Sequence, residues 1–226
     1  LAVTLTNMGI LAMTVGSFDR SRAHLERALK IRRDGKNVHG LVESLNAMGA
    51  LHLNCGEVDE AVASMEEAYD LSKRIGNRRM QAMLQNNLGE TLLKSGRLEE
   101  SEALLYKAVE GAGRLEDHNL LSDAARNLAL AAFQRDDNTR ALTWARRSVA
   151  AAQLSDVARV KAAAMGTLGE IMAGGDDVEG ADTAFSRAAQ LWAEANDRNA
   201  LSNCLQTHAA FLMRVGRNQD AELVLK

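Results

Sequence analysis

The sequence predicts an all-α chain, a solenoid of about six helix-turn-helix hairpins recurring every 40 residues. Three observations predict it. None of the 226 residues is proline, which loops normally recruit, so the connections between helices are short. Ala, Leu, Glu, Arg and Met are plentiful, and these are strong helix formers. Small residues also recur at one spacing from end to end, and self-similarity of this kind marks a repeat architecture.

The first column is Gly9, Gly49, Gly89, Ala129, Gly169 and Ala209. Seven residues later runs a second: Gly16, Gly56, Gly96, Asp136, Asp176 and Gly216. Then come Ser21, Ala61, Ser101, Ala141, Ala181 and Ala221, and next Leu25, Met65, Leu105, Ala145, Phe185 and Leu225. Ala28, Ala68, Ala108, Ser148 and Ala188 complete the set. A mid-helix glycine costs ~1 kcal/mol of helix propensity against alanine, so close packing of a neighbouring helix must offset it. The second column turns the chain, with a left-handed residue or an Asp cap. The last three columns, at i, i+4 and i+7, draw one face of the following helix.

Each repeat thus contains a first helix A and a second helix B. In order, the pairs are expected near 1–15 and 18–34, 37–55 and 58–75, 77–95 and 98–115, 118–135 and 138–154, 157–173 and 178–195, and 198–215 and 218–226. Asn37, Asn77, Asp117 and Asp197 are the N-caps that open successive repeats, with Asp156 one place early in its series. Asp136 and Asp176 replace glycine and read as variant turns. The repeats fall near 1–36, 37–76, 77–116, 117–156, 157–196 and 197–226, in one domain that reads as a piece of a longer protein.

The run Asn87-Leu88-Gly89, then Gly96, then Ala103-Leu104-Leu105-Tyr106-Lys107-Ala108, resembles the small-residue pattern of the tetratricopeptide repeat family. The resemblance covers the whole chain. The usual repeat is ~34 residues and commonly ends in proline, whereas this one is longer and places Asn or Asp there. Helices longer by somewhat under one turn account for the difference. The variant is similar to the repeats of Pins-type scaffolds and of large bacterial signalling regulators. The resemblance implies a right-handed superhelix with the A helices as its inner wall.

Counted from the small residue of helix A, positions three and two before it, and one and five after it, are expected on that wall. They include Asn46, Asn86, Arg126 and Gln206; Asn7, Asn87 and Asn127; Glu90 and Glu170; and Asn54, Lys94, Gln134 and Arg214. The peptide-binding groove is accordingly assigned to Asn7, Asn46, Asn54, Asn86, Asn87, Glu90, Lys94, Arg126, Asn127 and Gln134. A carboxamide offers donors and an acceptor without net charge, which suits a peptide backbone, and related scaffolds use concave Asn residues in that way. Arginine adds bidentate recognition of carboxylates.

A net charge of −3 and a pI near 6.0 give no basic field for nucleic acid or an anionic membrane. No apolar run is long enough to span a bilayer. The five histidines form no HExxH pair. Asp136-Asp137-Asn138 and Gly174-Gly175-Asp176-Asp177 lack the length and terminal Glu of a calcium loop. No nucleotide-binding glycine motif follows a strand. No catalytic residue, metal or cofactor is therefore expected. Cys55 and Cys204 read as free, buried thiols in a cytoplasmic setting.

The sequence thus points to a protein-interaction scaffold that binds a peptide or helix of a partner in the concave groove. The alternative is a regulatory or sensor module of a larger bacterial signalling protein, acting by intramolecular inhibition or ligand sensing. Only seven of the 27 basic residues are Lys, a bias typical of GC-rich bacterial coding. Leu223 and Leu225 are expected to lack cover, which would favour end-to-end self-association.

Overall fold

The computed structural model describes residues 1–175 and 177–225. Asp176, expected in a variant turn, and Lys226, expected within a helix, lie outside them. The described residues form an all-α repeat fold without strands. None of the described helices is long and apolar enough to cross a membrane.

The chain divides into two compact units, Leu1–Gly111 and Ala112–Lys226. The first holds α1 (Ala2–Thr14), α2 (Phe18–Asp34), α3 (Val38–Asn54), α4 (Val58–Arg74) and α5 (Arg78–Lys94), and ends within α6 (Leu98–Arg114). The second holds α7 (His118–Gln134), α8 (Asn138–Gln153), α9 (Ala158–Ala173), α10 (Val178–Glu194), α11 (Arg198–Arg214) and α12 (Asn218–Val224). Odd-numbered helices are the A helices and even-numbered ones the B helices. Observed boundaries match the expected ones to within a residue or two.

The small-residue columns are the packing seams. All six members of the Ser21–Ala221 column are fully buried, as are Leu25, Leu105, Ala145 and the whole Ala28–Ala188 column. Each mid-helix glycine lies against the large residue 16 positions on. A Cβ at Gly89 would stand 2.7 Å from Leu105 Cγ, one at Gly49 2.7 Å from Met65 Cγ, and one at Gly169 3.0 Å from the Phe185 ring. These contacts are closer than van der Waals spacing, so the helices approach because the side chain is missing. Ser101 adds a buried hydrogen bond from its hydroxyl to the Gly89 carbonyl, at 2.6 Å.

Most of the described turns between helices share one closure. The residue after each left-handed position donates its N–H five residues back, as in Glu57 to His52 O and Asp137 to Ala132 O, a pattern that satisfies the helix's last carbonyls. Gly56 holds the left-handed position with φ 78°, and Asp136 holds its equivalent with φ 59°. Asn37, Asn77, Asp117 and Asp197 cap the next A helix through the N–H of the third residue on. Asp156 does not. Val157 stands at the N-cap of α9 and offers no side-chain bond, while the Ser155 hydroxyl accepts from Val157 N–H at 2.9 Å. α8 ends one residue earlier in the repeat than α2, α4 and α6, and its connection to α9 contains no left-handed residue.

In the second unit, α10, α11 and α12 are tied by side chains. Asp182 accepts from Arg217 Nη1 at 2.7 Å and pairs with Nε2 of the buried His208 at 2.7 Å. Arg217 Nε also reaches Asp220, at 2.6 Å. Burial works against the Asp182 charge, but hydrogen bonds from Arg217 and His208 outweigh it and hold the carboxyl below its ordinary pKa. Leu223 and Leu225 are exposed. Cys55 and Cys204 are free thiols, half-buried and so less covered than expected.

Candidate functional site

Helix A is hemmed in on more than one side. It packs on its own B helix and, within a unit, beside the next A helix: α1 beside α3, and α7 beside α9. Only what remains can meet a ligand. An α-helix turns about 100° per residue, so the position three before the small residue lies only about 60° from it, close to the packing face. The position two before it points toward neighbouring A helices instead, where Ala47, Asn127 and Thr167 are all buried. Positions one and five after it point more freely outward.

This geometry sorts the ten residues expected in the groove. Asn7, Asn54, Lys94 and Gln134 are exposed or partly so, and Asn46, Asn87, Glu90 and Arg126 are half-buried. Asn86 is 5% exposed and Asn127 0%, and a side chain without surface meets no ligand while the wall stays closed. Both asparagines thus lie inside the wall, not on its surface. The structure does bring Asn86, Asn87 and Asn46 together. Asn86 Nδ2 donates to Asn87 Oδ1 at 3.4 Å, and Asn87 Nδ2 donates to Asn46 Oδ1 at 2.9 Å. The carboxamides thus form a relay from α5 to α3 rather than a row of independent sites. Glu90 and Lys94 neutralise each other at 2.7 Å, and Asn54 turns back onto its own helix at the Ala50 carbonyl.

The second unit carries a hollow of about 260 Å³ on its A-helix wall. Arg126 enters from α7, Thr167 and Glu170 from α9, and Asn203, Cys204 and Thr207 from α11, over a floor that includes Phe185 and Trp192 of α10. A second hollow of about 340 Å³ shares Glu170, Phe185 and Thr207 and adds Phe133, Phe211 and Arg214. Together they make one trough with aromatic walls and polar rims. Arg214 is fixed at its edge by a hydrogen bond to the Ala173 carbonyl, with its guanidinium 5.7 Å from the Phe211 ring centre.

Arg126 and Glu170 give the trough its electrostatics. The Arg126 Nε is buried and makes no hydrogen bond among the described residues. Glu170 is exposed at the mouth, yet the protein walls crowding its carboxyl raise its pKa, and the Arg126 charge only partly opposes that rise. Burial, followed by the nearby Glu170 charge, pushes the Cys204 thiol up to about 11. A thiol so raised stays protonated near neutral pH.

Asn203, Trp192 and Phe133 lie outside the positions chosen from sequence. Asn203 stands six before its small residue, one turn beyond the nearest position considered. Extending the outward face by that turn would have found it. Asp137 and Asp177, in the acidic turns, cap α8 and α10. Among the described residues, no three His, Cys, Asp or Glu side chains converge on a metal-sized space.

Comparison with known proteins agrees with this architecture. A tetratricopeptide repeat family model matches residues 1–79 and 80–153. No curated protein matches the chain. Among solved structures, BtubC from P. vanneervenii is similar at 20% identity and a TM-score of 0.70, over 85% of this chain and 80% of that one. A Rap protein complexed with Competence and Sporulation Factor is similar at 14% identity and a TM-score of 0.77, over 97% and 71%. A Signal Transduction ATPase with Numerous Domains from Pyrococcus horikoshii, which carries a tetratricopeptide repeat sensor, is similar at 13% identity and a TM-score of 0.71. That match covers 99% of this chain but 35% of the larger protein.

Proposed function

The chain belongs to the tetratricopeptide repeat family, and we propose that it is a protein-interaction module that captures a segment of a partner on its A-helix wall. One observation carries the reading. The trough across α7, α9 and α11 combines aromatic surface with the buried Arg126 Nε, which has no hydrogen-bond partner among the described residues, the composition expected where an extended or helical segment docks. The likeness to a Rap protein solved with a bound factor supports a binding role for such a wall. In the first unit the relay ends at Asn46, half-buried, which adds a smaller polar contact.

A second reading is a sensor module within a larger signalling protein, and the likeness to a repeat sensor attached to an ATPase favours it. The two are compatible, because a sensor also works by binding.

The test selects peptides from a displayed random library on this chain, then measures their affinity for two variants. Thr207→Trp fills the trough; Ser186→Trp adds the same bulk at an exposed position of α10. Selected peptides should lose about tenfold or more in affinity to the first and little to the second. Equal affinity for both variants, or no selectable peptide, would sink the reading.

A further inference from the structure

Arg126 and Glu170 carry opposite charges into the same hollow and do not meet. No ion pair or hydrogen bond joins them among the described residues, and neither side chain is bonded to any other described group. Elsewhere this chain closes such pairs readily, as in Arg22–Glu57 at 2.8 Å, Lys94–Glu90 at 2.7 Å and Arg217–Asp182 at 2.7 Å. A guanidinium nitrogen buried without an acceptor is rare in folded proteins, because burial removes its water and nothing replaces it. The separation has a structural origin. Arg126 rises from α7 and Glu170 from α9, neighbouring A helices, and both line the hollow without closing across it.

That arrangement discriminates by charge. A lone anion drawn to Arg126 is repelled by Glu170, and a lone cation drawn to Glu170 is repelled by Arg126. A ligand presenting both charges a few ångströms apart gains from each wall residue, and its own two charges attract each other as well. The hollow's aromatic floor at Phe185 and Trp192 accepts the aliphatic stems of long charged side chains. Asn203 and Thr207 offer neutral donors and acceptors at the rim, suited to the backbone that carries those side chains.

We propose that the trough reads an acidic and a basic residue set close together in the partner's segment, the carboxylate seating on Arg126 and the cation on Glu170. This rests on the reading of the wall as a peptide-binding face. Two such side chains come together within four positions of each other along a helix, so the recognised element is a short charge pair rather than a charged run. The raised pKa of Glu170 agrees with a carboxylate whose solvation is incomplete until a cation arrives.

Peptides obtained by library selection test this. Those selected on the unmodified chain should be enriched in an acidic residue within four positions of a basic one. Replacing either charge by Gln in a synthetic peptide should weaken binding about tenfold. The loss should be specific. Removing the peptide's acid should cost little more once Arg126 is Gln, and removing its base should cost little more in Glu170→Gln. Circular dichroism verifies that each variant folds, and the equally uncharged Arg126→Met replaces Arg126→Gln if that one does not. Peptides that are blocked by Thr207→Trp but lack the charge pair, or whose charges matter equally in every variant, overturn the proposal while leaving the binding wall intact. Failure to select any trough-binding peptide removes both. Displacement of a selected peptide by free leucine, a small zwitterion carrying the same two charges, would assign the hollow to an amino acid and overturn the peptide assignment.

Discussion

Gly89→Ala is the sharpest probe of how the hairpins pack. In an exposed helix this change would stabilise by ~1 kcal/mol through propensity. Here the new Cβ would lie 2.7 Å from Leu105 Cγ, 2.8 Å from Leu105 Cδ2 and 3.4 Å from the Ser101 carbonyl oxygen. Leu105 is fully buried, and the clash falls on its branch point, so no rotation of a side-chain tip relieves it. Overpacking of this kind costs roughly 1–3 kcal/mol, and the net loss should be about 1 kcal/mol. Leu105→Ala alone should cost roughly 2–5 kcal/mol, from lost burial and the cavity left behind. Combined, the substitutions should not add. With Leu105 cut back, the methyl introduced by Gly89→Ala enters the vacated space, the clash disappears and the propensity gain survives. The double variant should therefore be more stable than Leu105→Ala by about 1 kcal/mol, a coupling of roughly 2 kcal/mol. Urea unfolding followed by circular dichroism supplies the four stabilities. Hydrogen exchange of α5 and α6 amides localises the effect should the repeats unfold in stages. Additive losses, or a double variant weaker than either single one, would refute the seam as described.

Asp136→Gly should stabilise the chain by about 1 kcal/mol, because Asp136 holds a left-handed φ of 59° where the equivalent turns use glycine; an unchanged denaturation midpoint would contradict this. The Asp182 carboxyl is held below its ordinary pKa by Arg217 and His208, so its contribution is present above the unfolded Asp range and is lost as pH falls through its lowered folded value. Protection of the α12 amides, taken relative to the intrinsic exchange rate at each pH, should fall in acid in the unmodified chain, whereas Asp182→Asn should already be less protected at neutral pH and respond less to acid.

The hairpins were legible because each column records a contact and not merely a preference. Gly49 is glycine because Met65 occupies the place of its side chain, and the same requirement recurs at Gly9, Gly89 and Gly169. Asn37 and Asp197 could be read as caps because an N-cap acts on the next turn of the same helix, a local matter. Asp156 misled because α9 begins in register with the other A helices, which leaves Val157 at the N-cap position and Asp156 one residue outside it. The wall was harder to read. Whether Asn127 or Gln134 meets solvent depends on packing beyond its own helix, such as that of α9 beside α7, and helical periodicity within one repeat cannot reveal that. The Arg126 and Glu170 pairing was less visible still. The two residues sit at different positions in successive repeats, and only packing places them on one hollow.

The decay of the pattern in the fourth repeat is itself informative. Taken singly, Ala145 breaks the column of large residues and Ala129 breaks the column of glycines. Taken as a pair 16 residues apart, they keep the seam: a methyl gained on helix A is matched by a side chain removed from helix B. Both alanines are fully buried in one cluster with Leu168 and Ile171, so the space is filled and not merely vacated. Ala209 and Leu225 look like the exception, with a methyl facing a large residue. Leu225, however, lies past the end of α12 and is 53% exposed, so it does not press on Ala209 as Leu105 presses on Gly89. What the seam excludes is a side chain on helix A pressed against a large one on helix B, and the Gly89–Leu105 cycle amounts to rebuilding the fourth repeat's solution inside the third.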